Sequence, residues 1–346
     1  MKVTVLSAPS KKQVGLTKLV RVLNSATDDV SLITGNFVED LPEGVKLVNI
    51  PTLLVKEDES YIRKAIRLLL IQFTASAALA RVPSGPVIIF RPIVFLLPTL
   101  IVKLLRRKIF VIMTGYSEEV WKVKGDRFRQ LMKFTKWVNL NLADKIVIYH
   151  KDLISGWDLD RYRDKIEATN YLYADLKKFK PTRFLADREY DVGYIGRISE
   201  EKGILNLIDA LALLPNIKRL VIGGYPKGNS LKGLTITGWL PHSEIPFHLN
   251  SIKVLILPSY SEGLPNIVLE AFACGTPVLL PEVGALKSIL GSTGIFMPDN
   301  RPETIVDYIT DSLNQDYLEQ KSKEARQFVE RNFTFEKIVK DWRALI

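Results

Sequence analysis

Short runs of β-branched and aliphatic residues alternate with stretches of helical spacing along the whole chain. In the first half these runs are KVTVLS (2–7), VSLIT (30–34), VIIF (87–90), IFVIM (109–113) and KIVIY (145–149). In the second half they are YDVGYI (190–195), KRLVIG (218–223), LTIT (234–237), KVLILP (253–258), PVLL (277–280) and GIFM (294–297). Brief apolar runs separated by helix-length segments predict buried parallel strands joined by crossover helices. The expected fold class is α/β, with two doubly wound, Rossmann-like domains. The segment ADLKKFKPTRFLADR (174–188) is polar, broken by proline and without clean periodicity, so one domain should give way to the next there. The expected division is 1–175, 176–333 and a last helix, 334–346, that returns to the first domain.

In sheets of this kind ligands gather at the carboxyl ends of strands, which directs attention to two loops. The first lies in YSEGLPNIVLEAFACGTPVLL (260–280). Here a strand should end, a loop carry Glu262, and a helix begin with Pro265 in its first turn. Gly275 sits where a helix C-terminus takes a positive φ. The backbone N–H groups of Asn266, Ile267 and Val268 would then form an anion site at the helix start. Glu270 falls inside this nearly all-apolar helix, and a buried carboxylate requires partners. A hydroxyl-rich ligand would supply them; so would an internal Arg or Lys.

The second loop follows VGYIG (192–196), where Gly196 ends a strand and Arg197, Lys202 and Gly203 precede an amphipathic helix with Ile204, Leu207, Ile208 and Leu211 on one face. Two cations and a helix N-terminus just past a strand suit a diphosphate. Glu200 and Glu201 could equally pair with Arg197 and Lys202 as a solvated cluster.

Together these segments resemble the retaining, GT-B fold glycosyltransferases of glycosyltransferase family 4. EGLPNIVLEAFACGTPVL is similar to that family's E-x(7)-E signature and GYIGRISEEKG to its diphosphate loop; TITGWLPHSEI (235–245) and YADLKKFKP (173–181) match in order. The resemblance covers nearly all of the second domain and is diffuse in the first. It implies that Arg197 and Lys202 hold the donor's diphosphate, Glu262 the hydroxyls of the donor sugar and Glu270 those of the ribose. It further implies backbone amides from Asn266, Ile267 and Val268, and places Gly196, Gly238 and Trp239 around the nucleotide. Gly15, after the first strand, is the counterpart expected in the first domain. On this reading the donor is a nucleoside-diphosphate sugar lying between the domains, no metal or other cofactor is needed, and configuration is retained. Thr114 stands where many relatives carry a histidine, followed by Gly115 and Tyr116, and cannot serve as a general base near neutral pH. A transfer in which the leaving phosphate assists proton removal does not require one. Ser288 stands where relatives often have glutamate, and no role is assigned to it.

Composition changes the picture at one point. With 346 residues, 47% hydrophobic and 25% charged, the chain can bury two cores. Its single cysteine, Cys274, fits a reducing, cytoplasmic setting. No run reaches the roughly 20 apolar residues that span a bilayer, and MKVTVLSAPS has no secretory h-region. The net charge of +10, however, sits in the first half: residues 1–150 hold 23 Lys and Arg against 12 Asp and Glu. These cations neighbour apolar helical stretches at 61–73, 97–110 and 126–140, the makeup of helices lying in a membrane interface. A peripheral enzyme with a glycan or lipid-linked acceptor at an anionic membrane surface is the expectation, against the alternative that these positions simply pack the core. Long aliphatic runs in place of basic residues interleaved with exposed aromatics argue against nucleic acid. A sugar-nucleotide epimerase or a noncatalytic nucleotide-sugar-binding protein of the same fold is the alternative function.

Several motifs carry nothing on inspection. WDLD (157–160) has a D-x-D pattern but follows no buried strand and has cations after it; GLTITGWL lacks the lysine and hydroxyl of a P-loop. No G-x-G-x-x-G follows the first strand, His242 with Glu244 lacks the paired cysteines of a deaminase, and Cys274 reads as a small core residue.

Overall fold

A computed structural model describes residues 1–9, 14–52, 60–114, 128–224 and 235–346, with the side chains of Thr235 and Ile236 left aside. The chain divides into two compact units: Met1–Leu172 with Ile338–Ile346, and Tyr173–Lys337.

The first unit holds β1 (Lys2–Ser7), α1 (Val14–Ala26), β2 (Asp29–Thr34), β3 (Lys46–Asn49), α2 (Tyr61–Leu79), β4 (Val87–Phe90), α3 (Leu97–Leu104), β5 (Ile109–Ile112), α4 (Arg129–Leu142), β6 (Lys145–Ile148), the single turn α5 (Leu153–Gly156) and β7 (Ile166–Ala168). Its seven strands are parallel in the order β3-β2-β1-β4-β5-β6-β7. Every residue of β4 and β5 is buried, as strands covered on both faces require. The first two turns of α2 bury little: its buried residues are Ile71, Ala75, Ala78 and Leu79.

The second unit runs β8 (Tyr190–Ile195), α6 (Ile204–Ala212), β9 (Arg219–Ile222), β10 (Thr235–Ile236), α7 (Ile245–Leu249), β11 (Ile252–Ile256), α8 (Asn266–Ala273), β12 (Val278–Pro281), α9 (Leu286–Leu290), β13 (Ile295–Met297), α10 (Pro302–Ser312) and α11 (Gln315–Asn332). The final helix, α12 (Phe335–Leu345), places residues 338–346 in the first unit, where Trp342 is fully buried and donates to the Asn170 carbonyl at 2.8 Å. The second sheet is also all parallel, in the order β10-β9-β8-β11-β12-β13.

That order fixes where a ligand site can form. From β8 the chain moves outward through β9 and β10, then returns to pair β11 against the other side of β8. The loops after β8 and β11 therefore leave the sheet in opposite directions at a topological switch point, which opens a crevice between them. These are the two loops that the sequence singles out.

Below the crevice, the start of β11 is tied to the end of α8. Arg188, 4% exposed, donates to the Ile252 carbonyl and Thr276 Oγ1 at 2.8 Å and to the Cys274 carbonyl at 2.9 Å. Burial pulls its guanidinium down to about 10 from the usual arginine range, while the surrounding oxygens accept from both terminal nitrogens. Gly203 adopts φ +65 between a single 3₁₀ turn (Glu200–Lys202) and α6, and a Cβ there would collide with the Pro258 carbonyl. Only glycine lets the β8 loop lie this close to the end of β11. Gly275 closes α8 with φ +63, as expected of it.

Two consequences are measurable. Arg188→Met strands the carbonyls of Ile252 and Cys274 and should lower the unfolding free energy by about 3 kcal/mol in urea denaturation; an unchanged midpoint would contradict the role given to this cation. Gly203→Ala imposes left-handed strain on top of a backbone collision and should cost about 2 kcal/mol or more, read as a drop in melting temperature. Equal melting of variant and parent would show that the loop approach is not tight.

Candidate functional site

The site is built on the carboxyl end of the second sheet. Lys202 Nζ lies 2.6 Å from Glu262 Oε1, and both side chains are largely shielded from solvent. One residue comes from the loop after β8 and the other from the loop after β11, so this pair bridges the switch point. The alternative of a closed acidic cluster after β8 holds only in part: Arg197 pairs with Glu201 at 2.6 Å, while Lys202 turns away to Glu262. Arg197 remains 61% exposed on its side chain and keeps most of its five N–H donors for other partners.

The backbone of the β8 loop is buttressed by Tyr194, whose hydroxyl donates to the Arg197 carbonyl at 2.5 Å. Burial pushes this phenol far above its ordinary range, with the Glu262 carboxylate adding to the effect, so it stays protonated and donating. A Cβ on Gly196 would come within 2.9 Å of the same hydroxyl, which explains glycine there without any ligand. Tyr260 N–H donates to the Glu201 carbonyl at 3.1 Å and joins the two loops through the main chain.

Glu270 is 3% exposed in the middle of α8. Its Oε1 lies 3.1 Å from His242 Nε2, and His242 Nδ1 lies 3.1 Å from Lys178 Nζ. An ammonium can only donate, so Nδ1 accepts and the ring proton sits on Nε2, aimed at the carboxylate. An imidazole backed by a lysine is thus one of the partners of Glu270. Phe179 packs against the imidazole with ring centroids 5.5 Å apart.

Sequence reasoning set His242 aside as part of a deaminase-like decoy. The signal that could have found it is its place three residues beyond Trp239, in the same post-strand loop as Gly238. Two further groups went unnoticed: Ser199 Oγ and Ser259 Oγ, one in each loop, are shielded from water and have no hydrogen-bond partner among the described residues. Buried hydroxyls left open at a crevice are a common mark of a binding site.

Other expected residues are placed as follows. Pro265 is not inside the first turn of α8 but caps it in an extended conformation, φ −68 and ψ 131. Its carbonyl accepts the Val268 N–H at 3.1 Å, so the anion site expected from Asn266, Ile267 and Val268 has one of its three amides already engaged. Lys202 likewise lies in the 3₁₀ turn, one step before α6. Gly238 has φ +76, and its carbonyl accepts from Gly223 N–H at 3.1 Å. Trp239 is exposed, with its indole lying over Gly224. Gly15 belongs to the first unit, in the first turn of α1, where a Cβ would make ordinary contact with Tyr171 at 3.5 Å. Thr114 follows β5 and is half-buried; Gly115 and Tyr116 lie outside the described residues.

The decoys resolve as structure. Asp160 of WDLD pairs with Arg163 at 2.7 Å, and that bond holds its carboxyl below the usual range. Cys274 is fully buried, which pushes its thiol up to about 12. Among the described residues no group of three or more His, Cys, Asp or Glu side chains is placed to hold a metal ion.

Comparison with known proteins bears on the fold and on the second unit. Residues 177–332 match the family model described as Glycosyl transferases group 1. The O-antigen chain mannosyltransferase B of Escherichia coli is 28% identical over 139 residues, 36% of this chain and 36% of that protein. The chain spans about a quarter to a third of the length of the curated relatives it matches first. Among solved structures, sucrose-phosphate synthase from Thermosynechococcus elongatus superposes with a TM-score of 0.82 at 18% identity over 99% of this chain and 98% of that one. Anabaena HepE in complex with UDP gives 0.75 at 14% identity over 100% and 99%. The chain thus has the GT-B glycosyltransferase fold, and its residues 177–332 match the glycosyl transferases group 1 family.

Proposed function

We propose that this protein is a retaining glycosyltransferase that moves a sugar from a nucleoside-diphosphate sugar to a glycan or lipid-linked acceptor presented at an anionic membrane surface. The observation that carries this reading is the Lys202–Glu262 pair at the β8/β11 switch point, with Arg197 beside it and Glu270 buried below. Lys202 spends one of three donors on Glu262, leaving two for phosphate oxygens, while Glu262 keeps acceptor capacity for sugar hydroxyls. Arg197 reaches the same phosphates by exchanging its exposed contact with Glu201, a pair worth little in water. Glu270 accepts from ribose hydroxyls in exchange for, or in addition to, the His242 N–H.

In the reaction the bond between the sugar's anomeric carbon and the diphosphate oxygen breaks, and negative charge builds on the leaving phosphate. Arg197, Lys202 and the α8 N-terminus stabilise that charge where it develops. The acceptor hydroxyl forms the new bond on the same face of the sugar and passes its proton to the departing phosphate oxygen, so no side-chain base is called for and Thr114 is tolerated. The cations take the part that a divalent metal plays in other transferases.

The acceptor side rests on the first unit. Helices α2, α3 and α4 carry seven lysines and arginines and no carboxylate. Their exposed apolar residues include Ile62 at 75%, Phe73 at 64% and Leu104 at 81%. Among the described residues no helix is long and apolar enough to cross a membrane. Basic helices with exposed apolar residues suit an anionic interface, and the relatives named for O-antigen and capsular polysaccharide synthesis support such an acceptor.

Two measurements test the donor half. In a thermal-shift panel at saturating concentration, at least one of the UDP-, GDP- and ADP-sugars should stabilise the protein, by about 2.7 kcal/mol at a hundredfold excess over its Kd; no shift with any of them contradicts the reading. With the responding donor, Arg197→Ala should lower kcat by about 10²–10³-fold without lowering the melting temperature, and turnover near the parent's would remove Arg197 from the mechanism.

A further inference from the structure

A glutamate side chain can turn about every bond between Cα and its carboxylate, and the last of these torsions is broad. Burial in α8 therefore does not by itself fix the plane of the Glu270 carboxylate. A chain of contacts from outside the helix does. His242 Nε2 stands 3.1 Å from Glu270 Oε1, and Lys178 Nζ stands 3.1 Å from His242 Nδ1. With the lysine donating to Nδ1, the ring proton is on Nε2, and the contact with the carboxylate is an N–H···O hydrogen bond.

The segment that carries Lys178 is itself pinned. Asp175 Oδ1 accepts from the backbone N–H groups of Lys177 and Lys178, each at 3.1 Å, and the Asp175 carbonyl accepts from Phe179 N–H at 2.7 Å. Arg326 Nη1 donates to the Phe179 carbonyl at 3.1 Å and to the Ala273 carbonyl at 2.6 Å. It thereby joins this segment to the last residue of α8, the helix that holds Glu270. Phe179, itself buried, packs against the imidazole, and Lys178 Nζ lies 5.4 Å from the same phenyl ring. The imidazole is thus held at both nitrogens and against a ring, although its side chain is 45% exposed. Side chains locked in this way are what hold a recognition group in its working geometry.

We propose that His242 is a positioning residue that fixes the plane of the Glu270 carboxylate toward adjacent ribose hydroxyls, so that the donor site selects ribonucleoside over deoxyribonucleoside diphosphates. The proposal rests on the reading of Glu270 as the acid that meets the ribose and deepens it by naming what makes that acid selective. The imidazole N–H takes one of about four acceptor positions on the carboxylate, so the contact persists when a hydroxyl arrives. A carboxylate that is aimed and only 3% exposed forfeits a charge-assisted hydrogen bond when the hydroxyl is missing, and water reaches it poorly. One that swings freely finds another donor and discriminates little.

The ratio of two affinities gives the test. Calorimetric titration of the full chain with UDP, GDP and ADP identifies the tightest nucleotide, and its 2′-deoxy and 3′-deoxy forms are then titrated alongside it. The parent protein should bind the ribose form about 10–10²-fold more tightly than at least one deoxy form. His242→Ala should bring that ratio to within about threefold, and His242→Gln, whose amide N–H can stand where Nε2 does, should restore most of it. Arg197→Ala is the control: it weakens both forms alike and leaves the ratio intact. If His242→Ala behaves like that control, its role is structural only and the proposal is overturned. His242→Ala with the parent's ratio, while Glu270→Gln abolishes it, also overturns the proposal and leaves Glu270 on the ribose. No binding of any of the three nucleotides, no discrimination by the parent, or a ratio that Glu270→Gln leaves unchanged overturns the ribose reading itself and the proposal with it. Should Glu270→Gln not fold, the parent's ratio and the His242→Gln rescue decide.

Discussion

A carboxylate buried in the middle of an apolar helix imposes an obligation on everything around it. Glu270, at 3% exposure within α8, can stay there only if donors are brought to it. The fold brings His242 from the loop after β10 and stations Lys178, from the entry to the unit, behind the imidazole. Three stretches far apart in sequence are thereby joined through one imidazole. The Lys202–Glu262 pair does the same for the loops after β8 and β11. Arg197, Lys202, Glu262 and Glu270 each arrive with a partner, and the site is a set of exchangeable contacts more than an open cradle.

That arrangement has a chemical meaning. A ligand that merely filled space would have to break these pairs and leave charges stranded, which is costly. A sugar nucleotide breaks none without replacement: its diphosphate supplies anions for Lys202 and Arg197, and its hydroxyls supply donors for Glu262 and Glu270. Ser199 and Ser259, whose hydroxyl oxygens are shielded and without partners among the described residues, fit a site completed by a polar guest. The exposed Arg197–Glu201 contact is the weakest of the set and the one most readily surrendered.

Much of this was legible in the sequence, and the reasons are particular. Strands such as VIIF and YDVGYI are apolar on both faces and read cleanly, and their observed spans, Val87–Phe90 and Tyr190–Ile195, match the runs. The edge strands β3 and β7 escaped notice because three or four half-exposed residues, KLVN and IEA, leave no apolar run to see. Gly275 declared its positive φ through the proline two residues later. Gly203 was marked only as a helix start; its reason, the approach to the Pro258 carbonyl, involves a residue 55 positions away. Likewise Lys202 and Glu262 were each singled out as candidates, but their pairing follows from strand order, which local patterning does not encode. His242 could be placed in the loop after β10 from its nearness to Trp239, but its contact with Glu270 follows from the same strand order.

The first unit shows the complementary pattern. Its basic, apolar helices were legible as a composition, while the open apolar groove lined by α2 and α4 was not, because a groove depends on what fails to meet in space. The claim on which the account turns remains the pairing chemistry of the second unit, and a crystal structure with a bound nucleoside-diphosphate sugar tests it most directly. The account predicts diphosphate oxygens within hydrogen-bond reach of Lys202 Nζ and the Arg197 guanidinium, with Glu270 on the ribose. A ligand bound elsewhere, with the Lys202–Glu262 and His242–Glu270 contacts undisturbed and no phosphate beside them, would contradict it.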